Sequence, residues 1–212
     1  MGGMSTVPHA GNAAIFKART NKWFAGFSWF VAAAGLAGLV VAGGLPALAG
    51  AWPLLFIAYL GWLLFWRPAV VVRDAGVTIE NPFRAITVPW AALVNVDTRY
   101  ALTLVTPRRS YGAWAAPAPG IWGGRNARPE DLRGLPASTY GPGNSVRPGD
   151  LKSTDSGQAA QLVRGRWQQL VESGLLDAGA ADTTPVTVKF RWREAVAALI
   201  LLGLSYWSVA VL

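Results

Sequence analysis

The sequence predicts a membrane protein of the α + β class: an N-terminal transmembrane helical hairpin, a small antiparallel β domain with a C-terminal amphipathic helix, and one C-terminal transmembrane helix. Two uncharged runs predict the membrane part, 44 residues from Trp23 to Trp66 and 18 residues from Ala195 to Leu212. Residues 68–116 between them alternate β-branched and aromatic residues with polar ones, as strands do. A composition of 52% hydrophobic and 14% charged residues excludes an ordinary soluble domain.

The first uncharged run is long enough for two spanning helices. A helix rises about 1.5 Å per residue and a bilayer core is about 30 Å thick, so about 20 apolar residues cross it once. Gly44 and Pro46 interrupt the run near its middle, and Pro53 suits the first turn of a second helix. We therefore predict helices at about residues 24–43 and 51–66.

The second uncharged run predicts a third helix at residues 195–212, within a segment that begins at Trp192. Eighteen residues extend about 27 Å, enough for one span whose flanking side chains reach the interface. A helix lying in the interface is the alternative, although the run lacks the charged face of such helices. For the first run the alternative is a cleaved signal peptide ending at Ala47-Leu48-Ala49, but cleavage would leave the second helix in place.

Basic residues flank the three helices on one side, which predicts their orientation. Two spans return the chain to its starting side, so one orientation satisfies every basic cluster. The clusters are Lys17, Arg19 and Lys22; Arg67 and Arg73; and Lys189, Arg191 and Arg193. We predict a multi-pass protein of the cell membrane with a cytoplasmic N-terminal tail (residues 1–22), a cytoplasmic β domain and an extracytoplasmic C-terminus. Trp23, Trp66 and Trp192 mark the cytoplasmic boundary of the hairpin (23–66) and of the last segment (192–212).

The predicted spans contain no charged residue, which argues against transport through them. Ala34, Gly38 and Ala42 form a ridge of small residues at spacing four on the first helix. Such a ridge lets another helix approach closely. It predicts either a homodimer or packing against the second helix of the same chain.

The β domain, residues 67–116, contains five or six short predicted strands joined by tight turns, typical of an antiparallel meander. They lie at about residues 70–73, 77–80, 86–88, 94–96, 102–104 and 111–115.

A Pro- and Gly-rich insertion follows at residues 117–154. Six Pro and seven Gly occur within residues 117–150, without a sustained period, so we predict a flexible segment. Trp122 and Tyr140 leave open a docking motif within it.

An amphipathic helix is predicted at residues 156–173. Asp155 followed three positions later by Gln158 forms a capping-box pattern, and Gly174 marks the end of the helix. Val186–Phe190 is a further possible strand, so residues 155–191 complete the β domain.

A family resemblance rests on short motifs in this region. The segments Val72–Arg84, Val88-Pro89-Trp90 and Val94-Asn95-Val96 resemble the bacterial PH-like (pleckstrin-homology-like) domain of actinobacterial membrane proteins. Arg164-Gly165-Arg166-Trp167 is similar to the Arg-x-Arg-Trp-like helix core of that family. The resemblance implies a fold and a membrane location rather than a mechanism. A full PH barrel has seven strands and a C-terminal helix, so either the barrel is incomplete or Val186–Phe190 supplies a missing strand.

Arginines at predicted strand ends and turns are candidates for binding anionic lipid headgroups, because guanidinium groups suit bidentate phosphate contact. They are Arg73, Arg84, Arg99, Arg108 and Arg109. The alternative is that these residues only satisfy the positive-inside rule. Since many basic residues flank helix ends, the excess of 19 Lys and Arg over 11 Asp and Glu does not indicate a nucleic-acid partner.

The sequence offers no constellation for catalysis. It has no Cys and a single His, and the acids of the β region, Asp74, Glu80 and Asp97, have no paired partner in sequence. No Gly-rich phosphate loop joins a strand to a helix. We therefore expect no enzyme activity, no cofactor and no metal. The predicted function is a protein-interaction or assembly module whose partners are the lipid bilayer and an unidentified protein, and the alternative is a sensor of anionic lipid at the inner leaflet.

Overall fold

The computed structural model describes residues 13–120, 139, 147–176 and 179–211, and the statements below concern these residues. The helices are α1 (Arg19–Gly43), α2 (Trp52–Gly61), α3 (Asp155–Glu172) and α4 (Trp192–Val211). The strands are β1 (Ala14–Phe16), β2 (Ala69–Arg73), β3 (Gly76–Glu80), β4 (Arg84–Pro89), β5 (Asn95–Asp97), β6 (Ala101–Val105), β7 (Ser110–Pro117) and β8 (Thr187–Phe190). Their order confirms the predicted architecture of a helical hairpin, a β domain with its own helix, and a closing apolar helix.

The three apolar helices pack as one layer with α2 between α1 and α4. The chain leaves α1 at Gly44, whose φ of 65° lies in the left-handed region that glycine tolerates, and passes through a 3₁₀ helix at Leu45–Gly50. By length and composition, α1 and α4 are each able to cross a membrane, whereas the apolar helix Trp52–Trp66 is shorter.

The second apolar helix differs from its prediction in its last turn. Trp62–Trp66 is a π-helix, and the Arg67 N–H donates to the Trp62 carbonyl oxygen at 2.9 Å. A π turn widens the helix and leaves carbonyl groups available to other donors. One indole N–H uses a carbonyl of this segment, where Trp114 donates to Leu64 at 2.7 Å. Another uses the last turn of α2, where Trp29 donates to Ala58 at 3.1 Å.

The small-residue ridge of α1 does not contact α2, so that alternative for the ridge was wrong. Ala34, Gly38 and Ala42 are exposed, and a methyl group added at Gly38 would meet no atom within 4 Å. A neighbouring face makes the contact instead, where Gly35 meets Leu54 and Gly61 of the second helix meets Ser28. Spacing alone could not distinguish these faces, because both carry small residues. Homodimerisation through the ridge stays a prediction.

The β domain consists of two antiparallel sheets. The first has the order β1-β2-β3-β4-β8 and the second the order β5-β6-β7. All six predicted strands are present, and Thr187–Phe190 pairs with β4, so the strand predicted after the helix extends the first sheet. Strand β1, which pairs with β2, was not predicted, because three residues are too few to show a period.

The core lies between the sheets and beneath α3. Val70, Val72, Val77 and Ile79 alternate inward from β2 and β3, as the period of two requires. Leu102 and Leu104 of β6 face them, and Ala159, Ala160 and Val163 close the core from α3. The helix thus covers the sheets, as its amphipathic pattern predicted.

The cap of α3 lies one residue earlier than predicted. Thr154 is the N-cap residue, and its Oγ1 accepts a hydrogen bond from the Gly157 N–H at 3.0 Å. Asp155, the predicted cap, lies in the first turn instead. Both residue types favour N-caps, so sequence alone did not separate them. The predicted end is confirmed by Gly174, which has a φ of 68° directly after the helix.

The end of the predicted insertion is part of the packed domain. Pro148–Asp150 forms a 3₁₀ turn in which Asp150 is buried, and Leu151 and Thr154 are buried after it. The Pro and Gly content predicted flexibility here. In the structure, Gly149 instead allows the turn to approach neighbouring backbone closely. A Cβ on Gly149 would lie 2.0 Å from the Thr98 carbonyl oxygen. Trp122 and Tyr140, the candidates for a docking motif, lie outside the described residues.

Candidate membrane-proximal interaction site

Ion pairs join the apolar helices to the β domain, and we call this cluster of Tyr59, Arg67, Glu80, Arg191 and Glu194 the junction. Arg67 lies 2.8 Å from the Glu194 carboxylate, and the two side chains are 16% and 20% exposed. Arg191 pairs with Glu80 of β3. The Tyr59 hydroxyl donates to the Glu194 carbonyl oxygen at 2.9 Å. The end of α2, the start of α4 and the end of β3 therefore meet at one place.

The turn between β3 and β4 rests on this junction. The Arg67 guanidinium donates to the Pro82 carbonyl oxygen at 3.2 Å, and the Arg191 N–H donates to that of Phe83 at 2.9 Å. Arg67 also stacks over the Trp62 ring at 5.4 Å from its centroid, a cation–π contact. These contacts fix the β domain at the end of the helical layer where α1 begins, α2 ends and α4 begins.

Asn81 connects the same turn to the second sheet. Its amide group donates to the Gly112 carbonyl oxygen at 2.9 Å and accepts from the Trp114 N–H at 2.8 Å. Both bonds satisfy backbone groups of β7, so one side chain sets the position of this strand. The Trp114 indole then reaches the Leu64 carbonyl oxygen in the π turn.

A buried ion pair lies within the β domain itself. The Arg164 guanidinium is 2.6 Å from the Asp150 carboxylate, and their side chains are 7% and 4% exposed. Arg164 also donates to the Val96 carbonyl oxygen at 2.7 Å, and the Thr98 hydroxyl donates to Asp150 at 2.8 Å. This group, the clamp, holds the 3₁₀ turn between β5 and α3. A buried charge pair is tolerated because its other hydrogen-bonding groups are satisfied.

The clamp gives a structural role to Arg164, the first arginine of the Arg-x-Arg-Trp-like motif. Arg166, two residues further along α3, lies 2.6 Å from Asp74 in the turn after β2, where both side chains are more than a third exposed. Trp167 packs against the core. The first arginine therefore serves the interior, whereas the second makes a surface ion pair.

The first turns of α1 and α3 also touch. The Thr20 hydroxyl donates to the Asp155 carboxylate at 3.3 Å. Burial raises the pKa of the Asp155 carboxyl group above its ordinary value, while Thr20 and the backbone and charge of Arg19 lower it by a smaller amount. The N-terminus of α3 therefore lies beside the start of the first apolar helix.

The five arginines proposed for headgroup binding are not brought together. Arg73 ends β2 at the turn before Gly76, whereas Arg84 begins β4 beside Phe190, at the opposite end of the same sheet. Arg99 precedes β6 and Arg108 and Arg109 follow it, so these also lie at opposite ends of a strand. Arg84 is the member placed at the junction end. Headgroup binding by any of them stays a prediction.

Two of the five have partners that sequence could not show. Arg73 donates to the Thr78 hydroxyl at 3.2 Å, and Arg108 donates to the Asp182 carbonyl oxygen at 3.3 Å. Arg99 lies over the Tyr100 ring at 5.2 Å from its centroid and lines an open cavity of about 570 Å³. Arg147 lines the same cavity and pairs with Asp97 at 2.5 Å.

Sequence reasoning missed the carboxylates and the asparagine that organise these sites. Asp150 was assigned to the insertion, and Glu194, within the last segment (192–212), was given no role. Basic residues stand close to both acids in sequence, but their ion-pair partners are 14 and 127 residues away, so no local pattern pointed to these pairs. Within the described part of the chain, no group of three or more His, Asp or Glu side chains is placed to hold a metal ion.

The β domain that contains these contacts matches a known protein family over most of its strands. Residues 67–150 match the family model of the bacterial PH domain. The chain contains a bacterial PH-like domain. The match begins at Arg67 of the junction and includes strands β2 to β7 and the 3₁₀ turn that carries Asp150. No curated protein and no solved structure matches the chain.

The PH-like domain completes its fold with elements outside the matched residues. Strands β1 and β8 form the two edges of the first sheet, and α3 covers the core. PH-like domains are generally binding modules without catalytic activity. With two helices long and apolar enough to cross a membrane, the molecule is a membrane-associated module built on such a domain.

Proposed function

We propose that the protein is a multi-pass membrane protein that presents its PH-like domain to the cytoplasm as a protein-interaction or assembly module, with no catalysis of its own. The observation that carries the proposal is the junction. One Arg–carboxylate pair joins the end of the second apolar helix to the start of α4, and a second pair joins the segment before α4 to β3. Hydrogen bonds from Arg67 and Arg191 to the turn between β3 and β4 tie the domain to these two helix ends. A domain held in this way has a set distance and orientation relative to the bilayer, as an assembly platform requires.

The placement of basic residues supports the cytoplasmic orientation. Helix α1 begins, the second apolar helix ends and α4 begins at the same end of the helical layer, and the basic residues Lys17, Arg19, Lys22, Arg67, Lys189, Arg191 and Arg193 flank these three helix ends. The positive-inside rule assigns such an end to the cytoplasm. The turn at Leu45–Gly50 and the C-terminus then lie on the extracytoplasmic side.

Single-cysteine labelling tests this topology directly, because the chain has no cysteine of its own. Ala47→Cys in the helical turn should react with a membrane-impermeant maleimide in intact cells. Leu162→Cys on the exposed face of α3 should react only after the membrane is opened. Labelling of Leu162→Cys in intact cells would overturn the orientation.

Among the described strands, β8 forms an edge of the first sheet, and this edge supports the interaction role. Strand β8 pairs with β4 on one side, and all four of its residues are exposed. An exposed edge presents unpaired N–H and C=O groups to a partner strand. In-cell photocrosslinking from Lys189, followed by mass spectrometry, should identify a specific protein that is not captured from Gln168 on α3. Absence of protein adducts from every exposed position of the domain would contradict the proposal.

A second candidate function, recognition of anionic lipid headgroups, is favoured by one observation. The cavity at the turn before β6 contains both Arg99 and Arg147, beside the exposed ring of Tyr100. Two guanidinium groups in one cavity suit a phosphate, although Asp97 neutralises part of the charge of Arg147.

The whole chain in nanodiscs tests the lipid role, because an isolated domain without its flanking segments would lose β1 and β8, the edge strands of the first sheet. Anionic lipid should raise the thermal stability of the native chain more than neutral lipid does, and Arg99→Gln should reduce that gain. Arg109→Gln is the matched control, since Arg109 lies outside the cavity. Equal effects of the two variants would remove this candidate.

A further inference from the structure

We propose that Trp114 inserts into the interfacial layer of the bilayer, so that the PH-like domain itself rests on the lipid surface as well as being tethered by its helices. This inference rests on the membrane placement of the helices proposed above. It assigns a lipid contact to a domain strand, and it concerns the lipid boundary rather than the recognition of a particular headgroup.

Trp114 points outward from the second sheet. Its neighbours in β7, Ala113 and Ala115, are buried in the core, whereas the Trp114 side chain is 52% exposed. Side chains alternate across a strand, so the indole must leave the core on the opposite face. A tryptophan half exposed on the outer face of a small sheet is not explained by the packing of the domain.

The depth of Trp114 is set by its hydrogen bond to the helical layer. Its Nε1 donates to the Leu64 carbonyl oxygen at 2.7 Å. Leu64 belongs to the uncharged run and precedes Arg67 by three residues, less than one turn of the helix. If Arg67 lies at the interface, the indole lies just below it, at the boundary of headgroups and acyl chains.

The domain holds the indole rigidly at this depth. Asn81 fixes the backbone of β7 on both sides of Ala113, through the Gly112 carbonyl and the Trp114 N–H. Asn81 lies in the turn that Arg67 and Arg191 hold against the helix ends. The chain of contacts from helix to turn to strand therefore leaves Trp114 little freedom to swing away from the bilayer.

Other exposed aromatic side chains lie at the same end of the domain. Phe190 is 57% exposed and Trp192 63% exposed, and they flank Arg191, which is bound to the same turn. Trp66 is also exposed at the end of the second apolar helix. Tryptophan is enriched at membrane interfaces because its large ring is apolar while its N–H is polar.

The continuity of this surface with the apolar helices argues for lipid as the occupant. Trp114 contacts the helix whose outer face meets the bilayer, so a soluble partner would have to enter the headgroup layer to cover it. The indole N–H is already bonded to Leu64, which leaves the apolar part of the ring for contact. Acyl chains and glycerol groups suit such a surface.

Site-directed spin labelling of the full-length protein in phosphatidylcholine–phosphatidylglycerol vesicles tests the inference. Labels are placed at Trp114→Cys and, with the tryptophan intact, at Gly112→Cys, which lies on the same face of β7. A side chain is tolerated at position 112, where a Cβ would lie 3.8 Å from the nearest atom, Thr103 Oγ1. Leu199→Cys on α4 is the lipid-exposed reference, and Leu162→Cys on α3 is the aqueous reference.

The inference predicts that the ratio of collisions with oxygen to collisions with a water-soluble nickel complex is several-fold higher at positions 112 and 114 than at 162. An aqueous ratio at positions 112 and 114, with a lipid ratio at 199, would overturn the inference and leave the proposed function standing. An aqueous ratio at 199 would overturn the membrane placement and the inference together. An aqueous ratio at 114 with a lipid ratio at 112 would show that the tryptophan itself anchors the strand, which supports the inference.

Discussion

The junction and the clamp use the same chemistry in different surroundings. Each pairs arginine with a carboxylate, but Arg67 and Glu194 at the junction are 16% and 20% exposed, whereas Arg164 and Asp150 in the clamp are 7% and 4% exposed. Water therefore screens the first pair partly and the second hardly at all.

This difference in burial assigns different roles to the two clusters. Removing one partner of a buried pair leaves an uncompensated charge in the interior, so the clamp decides whether the domain folds. Removing one partner of a pair that is still partly exposed lets water replace it, so we expect the junction to determine how the folded domain is positioned on its helices. Three substitutions test this distinction, and a fourth tests the separate contact between α1 and α3.

The largest effect is expected from Arg164→Met. The variant leaves Asp150 buried without its cation and should lower the free energy of unfolding by about 3–5 kcal/mol. The midpoint of chemical denaturation in detergent micelles, followed by near-ultraviolet circular dichroism, measures the loss. Arg166→Met is the matched control on the same helix and should cost no more than about 1 kcal/mol, because its pair with Asp74 is exposed. Equal losses in the two variants would show that burial does not separate them.

Gly157→Ala tests the close approach of α3 to the backbone of Leu151, beside the clamp. A Cβ at this position would lie 2.0 Å from the Leu151 carbonyl oxygen, so the variant should be destabilised by about 1–3 kcal/mol. Gly165→Ala on the same helix would meet no atom within 4 Å and should gain up to about 1 kcal/mol from helix propensity. Opposite shifts in the thermal unfolding midpoint are the expected result. A higher unfolding midpoint for Gly157→Ala would show that the backbone of Asp150 and Leu151 shifts readily to admit the methyl group.

A smaller effect is expected at the junction from Glu194→Gln. The substitution keeps the shape of the side chain but removes its charge, and should cost about 1 kcal/mol. Hydrogen exchange should accelerate in the turn between β3 and β4, where the Asn81 N–H donates to the Arg84 carbonyl oxygen. Arg193→Gln, the exposed neighbour, should leave that exchange unchanged. Unchanged exchange in Glu194→Gln would indicate that the backbone hydrogen bonds alone seat the domain.

The smallest effect concerns pH at the contact of α1 and α3. Because burial raises the pKa of Asp155, the folded protein holds this proton more tightly than the unfolded chain does. The resulting contribution to stability is complete below the unfolded pKa of about 4 and is lost as pH rises through the raised folded pKa. Asp155→Asn should flatten the stability profile above pH 4 by less than about 1 kcal/mol, since solvent screens a half-exposed group. If the stability of the variant and that of the native chain change with pH in the same way, groups other than Asp155 cause the pH dependence.

Much of the fold could be predicted because it is local. Six strands and three apolar helices followed from alternation and from uncharged runs, since each signal lies within a few turns or strand positions. The errors occurred where two local signals were equally good, as with Thr154 and Asp155 as caps of α3, or the two small-residue faces of α1. Packing against other elements determines which residue caps α3 and which face of α1 makes the contact.

The candidate site was predicted less well, for a physical reason. Arginines are visible in sequence, but the sequence does not distinguish an arginine at the surface from one in the clamp or one at the junction. Burial and the carboxylate that faces it distinguish these cases, and for Arg67 and Arg191 that partner is more than 100 residues away.

The sequence by itself determined the elements of this protein: where the apolar helices and most strands lie, and which ends of the helices carry positive charge. Hydrophobic length and periodicity fix these properties residue by residue. Only the tertiary structure decided that Asp150 meets Arg164, that Glu194 meets Arg67, and that Trp114 reaches Leu64. Such contacts arise when the sheets, α3 and the helix ends converge, and no local pattern in the chain encodes them.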